Sequence, residues 1–248
     1  MSERASGGRR WSHARRGIVA GAILLGAIAG IGALHTSWGR PLLARLGGCP
    51  AARVTAAEVD GLRRLGMTGI KGARPAPARP ALGFILDRTT PADVQTWAAQ
   101  AGVTCSSKKR GLTSLHCANV SRTVLPRTAL PSAVSSKDGD GGALTTIEDL
   151  ALTFDPSGRL VSVDAFTRQL PTGTATAAFS SSGARLAEEL GPPTDHAGDD
   201  GVEAGAVRAP APLGTARRRF RFNDYVAIVS LTNLPSGLAV REQYLSGT

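Results

Sequence analysis

The sequence predicts an α+β protein: an N-terminal single transmembrane helix, then an extracytoplasmic domain of antiparallel β-meanders with packed helices. Three observations carry this. Residues 17–34, GIVAGAILLGAIAGIGAL, form an uncharged run directly behind a cluster of arginines. Downstream, well-capped helical patterns are followed by short alternating strands joined by Pro/Ser/Gly turns. That order, helix then strands, occurs twice, with Pro-Ser-Gly turns at 156–158 and 235–237, and suggests a tandem helix-plus-strands duplication.

At the N-terminus, Arg4, Arg9, Arg10, Arg15 and Arg16 outnumber Arg40 and Arg45 beyond the apolar run. The positive-inside rule therefore puts residues 1–16 in the cytoplasm and the bulk of the chain outside. The run reaches the lower end of the ~17–25 residues that span a bilayer. The following HTSWGRPLL offers no small-residue cleavage site, which favours an uncleaved signal anchor over a cleaved signal peptide. Leu46-Gly47-Gly48-Cys49 has lipobox residue types but lies too far from the run, and Arg15-Arg16 matches a twin-arginine signal only loosely. The first 34 residues hold five arginines and one glutamate, so about +4 of the formal net charge of +10 belongs to the anchor. Nucleic acid is thus a poor partner for the exported part. With only Lys71, Lys108, Lys109 and Lys137 as lysines among 29 basic residues, the composition points to a GC-rich bacterial genome.

Residues 35–82 read as a stem holding a short helix at 55–65. Thr55 and Glu58 make a capping box, Val59, Leu62 and Leu65 a stripe, and Gly66 the stop. GARPAPARPALG, residues 72–83, reads as an extended Pro/Ala connector. The first half, 83–170, opens with GFILD, a short strand or buried entry segment. A helix follows, with Thr90 as N-cap, Pro91 in the first turn, Gly102 as C-cap, and Val94, Trp97, Ala98 and Ala101 as its buried stripe. VTCSSKKRGLTSLHCANV reads as two strands about a basic turn, 121–145 as a loop, and 147–170 as a hairpin turning at Asp155-Pro156-Ser157-Gly158. The second half, 171–248, places a helix over 174–190 with Phe179, Gly183, Leu186 and Leu190 in one stripe. A loop at 192–214 then leads to a three-strand meander over 216–245.

The units ADVQTWAAQAGV and ARLAEELGPPT, each followed by strands, resemble the helix-plus-meander modules of the BamE/SmpA outer-membrane lipoproteins and of β-lactamase-inhibitor-like proteins. The resemblance covers roughly residues 84–245. It implies a binding module of the bacterial envelope, with another envelope protein or an anionic envelope component as partner, and it transfers no functional residue.

Five candidate features remain. Cys105 and Cys117 lie symmetrically about Gly111, so a hairpin turning there sets them opposite each other, in an oxidising compartment. A disulfide is predicted. A metal site would need His116, which strand alternation aims away from Cys117, and a redox pair would favour closer cysteine spacing. Cys49 is left as a free thiol, an intermolecular partner or an acylation site. The acidic runs at 138–142 and 195–201 lack calcium-loop spacing and read as solvated linkers. On a strand, Arg217, Arg219 and Arg221 share one side and Phe220 and Phe222 the other. The arginine row is either a solvated, edge-protecting face or a patch for an anionic partner, which Lys108, Lys109 and Arg110 would extend if they lay nearby. Nucleophile-elbow, zinc-protease, phosphate-loop and dinucleotide signatures are all absent from the sequence, and Glu148, Asp149, Asp155 and Asp164 read as unpaired. No cofactor is implied. Binding is the leading expectation, and an enzyme with a site assembled from dispersed residues the alternative.

Overall fold

Capping chemistry fixes where the helices begin. In the computed structural model, which describes residues 55–126, 144–197 and 209–248, Thr55 and Glu58 cap α1 (Ala56–Thr68) reciprocally. Thr90 and Asp93 do the same for α2 (Pro91–Ala101), and Gly102 closes it at a φ of 66°. These bonds satisfy amides that the first helical turn leaves without partners. α3 (Thr172–Leu190) buries Phe179, Gly183, Leu186 and Leu190, the stripe read from the sequence.

α1 departs from expectation. It ends at Thr68 with Gly69, not Gly66, as its cap. Asp60 and Met67 face inward, while Leu62 and Leu65 are 64% and 68% exposed. The reason is polar: Arg63 pairs with Asp60 at 2.9 Å and also donates to the carbonyls of Ser246 and Thr248. These bonds turn the charged stripe toward the body and the leucines away from it.

Among the described residues eight strands form one antiparallel sheet in the order β1-β2-β3-β4-β8-β7-β6-β5. They are β1 (Cys105–Arg110), β2 (Leu112–Ser121), β3 (Thr146–Phe154), β4 (Leu160–Leu170), β5 (Asp195–Ala197), β6 (Thr215–Arg221), β7 (Tyr225–Leu234) and β8 (Gly237–Ser246). Each half of the chain runs as a helix followed by four consecutive strands, and the two meanders meet where β4 pairs with β8. Helices α2 and α3 pack with one face of this sheet in a single apolar core that includes Val94, Leu152, Phe179, Val229 and Tyr244.

Several expectations are corrected. Residues 83–87 form no strand; of the two expectations it is the buried entry segment that appears, with Phe84 and Leu86 buried. The 192–214 stretch is not loop throughout: Asp195–Ala197 adds an edge strand to β6. The compact unit begins at Thr55, so the second part of the predicted stem belongs to the body. Its Pro/Ala segment is a strap along the sheet, with Gly72 donating to Phe222, Asn223 to Arg74, and Ala76 to the carboxylate of Asp224. Residues 17–34 and Cys49 lie outside the described residues, as do the acidic run at 138–142 and part of that at 195–201. Among the described residues no helix is long and apolar enough to cross a membrane.

Candidate functional site

Strand alternation gives the sheet two unlike faces. One packs on α2, α3 and the strap. The opposite face bears a row in register across all eight strands: Ser106, His116, Ala151, Asp164, Gln243, Ile228, Arg219 and Asp195. At one end this face is covered. Val59 of α1 lies against the β1–β2 turn, where a Cβ on Gly111 would come within 2.7 Å of it. Arg221 donates to the carbonyls of Gly69, Ile70 and Lys71 just after α1. Met67, Leu112 and Val226 are buried here but stand outside the main core, so α1 roofs this end.

Among the described residues the other end is open. Phe166 of β4, Ala239, Arg241 and Gln243 of β8, Ile228, Ser230, Thr232 and Leu234 of β7, and Thr215 and Arg217 of β6 line a concavity of about 400 Å³. The lining mixes apolar side chains with a few polar and charged ones, as ligand and partner sites do. Arg241 forks onto Asp164, which Gln243 also reaches at 3.3 Å. Thr215 and Thr232 hydrogen-bond at 3.1 Å.

The predicted arginine row takes its expected side of β6, opposite Phe220 and Phe222. Its members differ in what they do. Arg219 and Arg221 lie 3.4 and 3.6 Å from Asp195, and Arg221 also holds the end of α1. Arg217 makes no ion pair among the described residues. Lys108, Lys109 and Arg110 lie on β1, at the far edge of the sheet from Arg217, Arg219 and Arg221. Lys108 and Arg221 fall in one row but six strand steps apart, roughly 29 Å at about 4.8 Å per step. The structure therefore does not bring the two basic clusters together.

Cys105 and Cys117 form the predicted disulfide as directly opposed residues, with Cα atoms 4.0 Å apart. Cys117 is fully buried in the core, while His116 turns to the open face, where its Nδ1 is 3.4 Å from Asp149. The carboxylates read as unpaired all find partners: Glu148 with Arg168, Asp149 with His116, Asp155 with Ser157 and the Arg159 amide, and Asp164 with Arg241.

Sequence reasoning missed a charged cluster beneath the sheet. Glu242 is fully buried and accepts from Arg122 at 2.6 Å, Ser182 at 2.8 Å, Arg185 at 3.2 Å and the Tyr244 hydroxyl at 2.5 Å. Burial opposes its charge most strongly, yet Arg122, Arg185 and the Tyr244 hydroxyl together hold the carboxyl below its usual range. Tyr244 is pushed up, by burial first and then by Glu242, and so stays a protonated donor. Four donors close this carboxylate off, which makes the cluster a support for the sheet.

The concavity itself was also missed, although a signal existed. YVAIVSL on β7 is apolar at both phases, with Tyr225, Ala227 and Val229 toward the core and Val226 and Ile228 away from it. A strand apolar on both sides implies that neither face is simply solvated. No family model, curated protein or solved structure matches the chain.

Proposed function

We propose that the chain is a membrane-anchored, extracytoplasmic binding module of the bacterial envelope, and that its partner docks on the open face of the sheet. The carrying observation is the concavity, a part-apolar depression left uncovered by the described residues on a sheet whose other face carries the apolar core. Phe166, Ile228 and Leu234 there supply apolar surface, and Arg217 and Arg241 supply charge. Tandem duplication accounts for the architecture: two helix-plus-four-strand units laid edge to edge make one broad face from two short meanders. The apolar run at 17–34, behind its arginines, supplies the anchor and sets the domain outside the cytoplasm.

The test is site-specific photo-crosslinking in cells, with the probe at Ser230 on the open face or at Glu188, exposed on α3. Adducts to a defined envelope protein from Ser230 but not Glu188 are expected. Equal labelling from both, or none from Ser230, would count against docking on this face.

A further inference from the structure

Resting on that reading, we infer that the concavity recognises a single carboxylate, carried next to an apolar side chain on a loop of the partner protein. The register fixes the chemistry. Phe166, Arg241, Ser230 and Arg217 fall in one row on β4, β8, β7 and β6. The two arginine backbones are thus about 10 Å apart with Ser230 between them. A carboxylate over the Ser230 hydroxyl lies within reach of both guanidinium groups, while Phe166, Ile228, Leu234 and Ala239 offer apolar surface beside it.

Charge matching sets the count at one. Arg241 is neutralised by Asp164, and Arg219 and Arg221 share Asp195. Arg217 is the arginine of this concavity with no ion pair among the described residues, and it is half-buried. One unmatched guanidinium in a partly desolvated site favours one carboxylate. A phosphate-bearing lipid surface would call for several uncommitted cations, whereas Arg219, Arg221 and Arg241 each already have a carboxylate partner. Within the concavity, the two cations Arg217 and Arg241 stand against the one carboxylate of Asp164, which leaves it complementary to a single negative charge.

The experiment selects phage-displayed random dodecapeptides on the full-length chain in detergent. The winners are then measured against Arg217→Gln and against their own acid-to-amide versions. Enriched peptides should carry Asp or Glu beside a large apolar residue, and both changes should weaken binding at least about tenfold. Ser230→Asp, which sets a like charge in the same spot, should remove binding as well and stands in if Arg217→Gln lowers the melting temperature. Winners without an acid that still depend on Ser230 would overturn the carboxylate while sparing the face as a binding site. Acidic winners indifferent to Arg217 would overturn the assignment of the site. So would an empty selection, whether alone or with Arg217-dependent binding to phosphatidylglycerol vesicles or Arg217-dependent self-association.

Discussion

Glu242 shows how one residue can tie the two halves together. Arg122 lies in the short 3-10 turn that follows β2, Ser182 and Arg185 sit on α3, and all three converge on a carboxylate in β8. A buried charge is costly unless it is paired, and removing one partner leaves the others exposed to that cost. Glu242→Ala is therefore expected to lower stability by about 3–5 kcal/mol in urea unfolding, and a loss under about 1 kcal/mol would argue that the cluster is solvated. The same residue sets a pH response. A carboxyl held below its unfolded value stabilises the fold above that value, and the contribution is lost as pH falls through the folded one. Asp87 acts in the same direction: burial opposes its charge, but Ser246, Arg79 and Thr248 outweigh it. Unfolding midpoints should hold steady down to about pH 5 and drop below about pH 4. Glu242→Gln should flatten that drop, and an unchanged slope would assign it elsewhere. In the sequence, Glu242 was visible as an acid in phase with Leu238, Val240 and Tyr244, but its partner Arg122 lies 120 positions away. Local pattern carries no information about so distant a pairing.

Elements were most legible where the signal was local. The N-cap of α1, both caps of α2, the Gly111 turn and the 155–158 turn each depend on residues within four positions, and each forms as the sequence indicates. The disulfide follows from the same short-range geometry. Closing a loop of this size adds about 3 kcal/mol in the chain-entropy model. Reduction, or Cys105→Ser with Cys117→Ser, should therefore cost roughly that much, and thiol reagents should leave both residues unmodified in the native oxidised chain. Ready labelling there would contradict the bridge. Which face of α1 is buried was not legible, because ion pairs and carbonyl contacts from distant residues outweigh its leucines. Met67→Ala should cost about 2 kcal/mol or more, whereas Leu62→Ser and Leu65→Ser should change stability by less than about 0.5 kcal/mol. The reverse ranking would restore the leucine stripe. β5 was hidden for another reason: Asp195-His196-Ala197 has no strand propensity, and β6 alone recruits it.

At the scale of the whole molecule, the α+β class and the repeated order were readable, but the seam between the repeats was not. Nothing local says that β4 pairs with β8, and that pairing is what turns two meanders into one sheet with β1 and β5 at its edges. It also explains why the basic residues of β1 and β6 lie apart: the antiparallel seam carries the second meander away from the first. The seam runs from Ser162 opposite Leu245 to Leu170 opposite Leu238, and the Glu242 cluster crosses beneath it. Splitting the halves would expose Val163 and Tyr244, both fully buried, and strand Arg122 without its carboxylate. Those combined costs predict that neither half unfolds ahead of the other. The chain supplies its own probes. Trp97 packs edge-on against Phe84 at 5.1 Å in the first half, and the two tyrosines, Tyr225 and Tyr244, both lie in the second. With Trp11 and Trp38 replaced by Phe, thermal unfolding followed by Trp97 fluorescence and by tyrosine absorbance should give coincident midpoints. Midpoints separated by several degrees would show that the seam joins two independent units, and that the open face is assembled by docking rather than by folding.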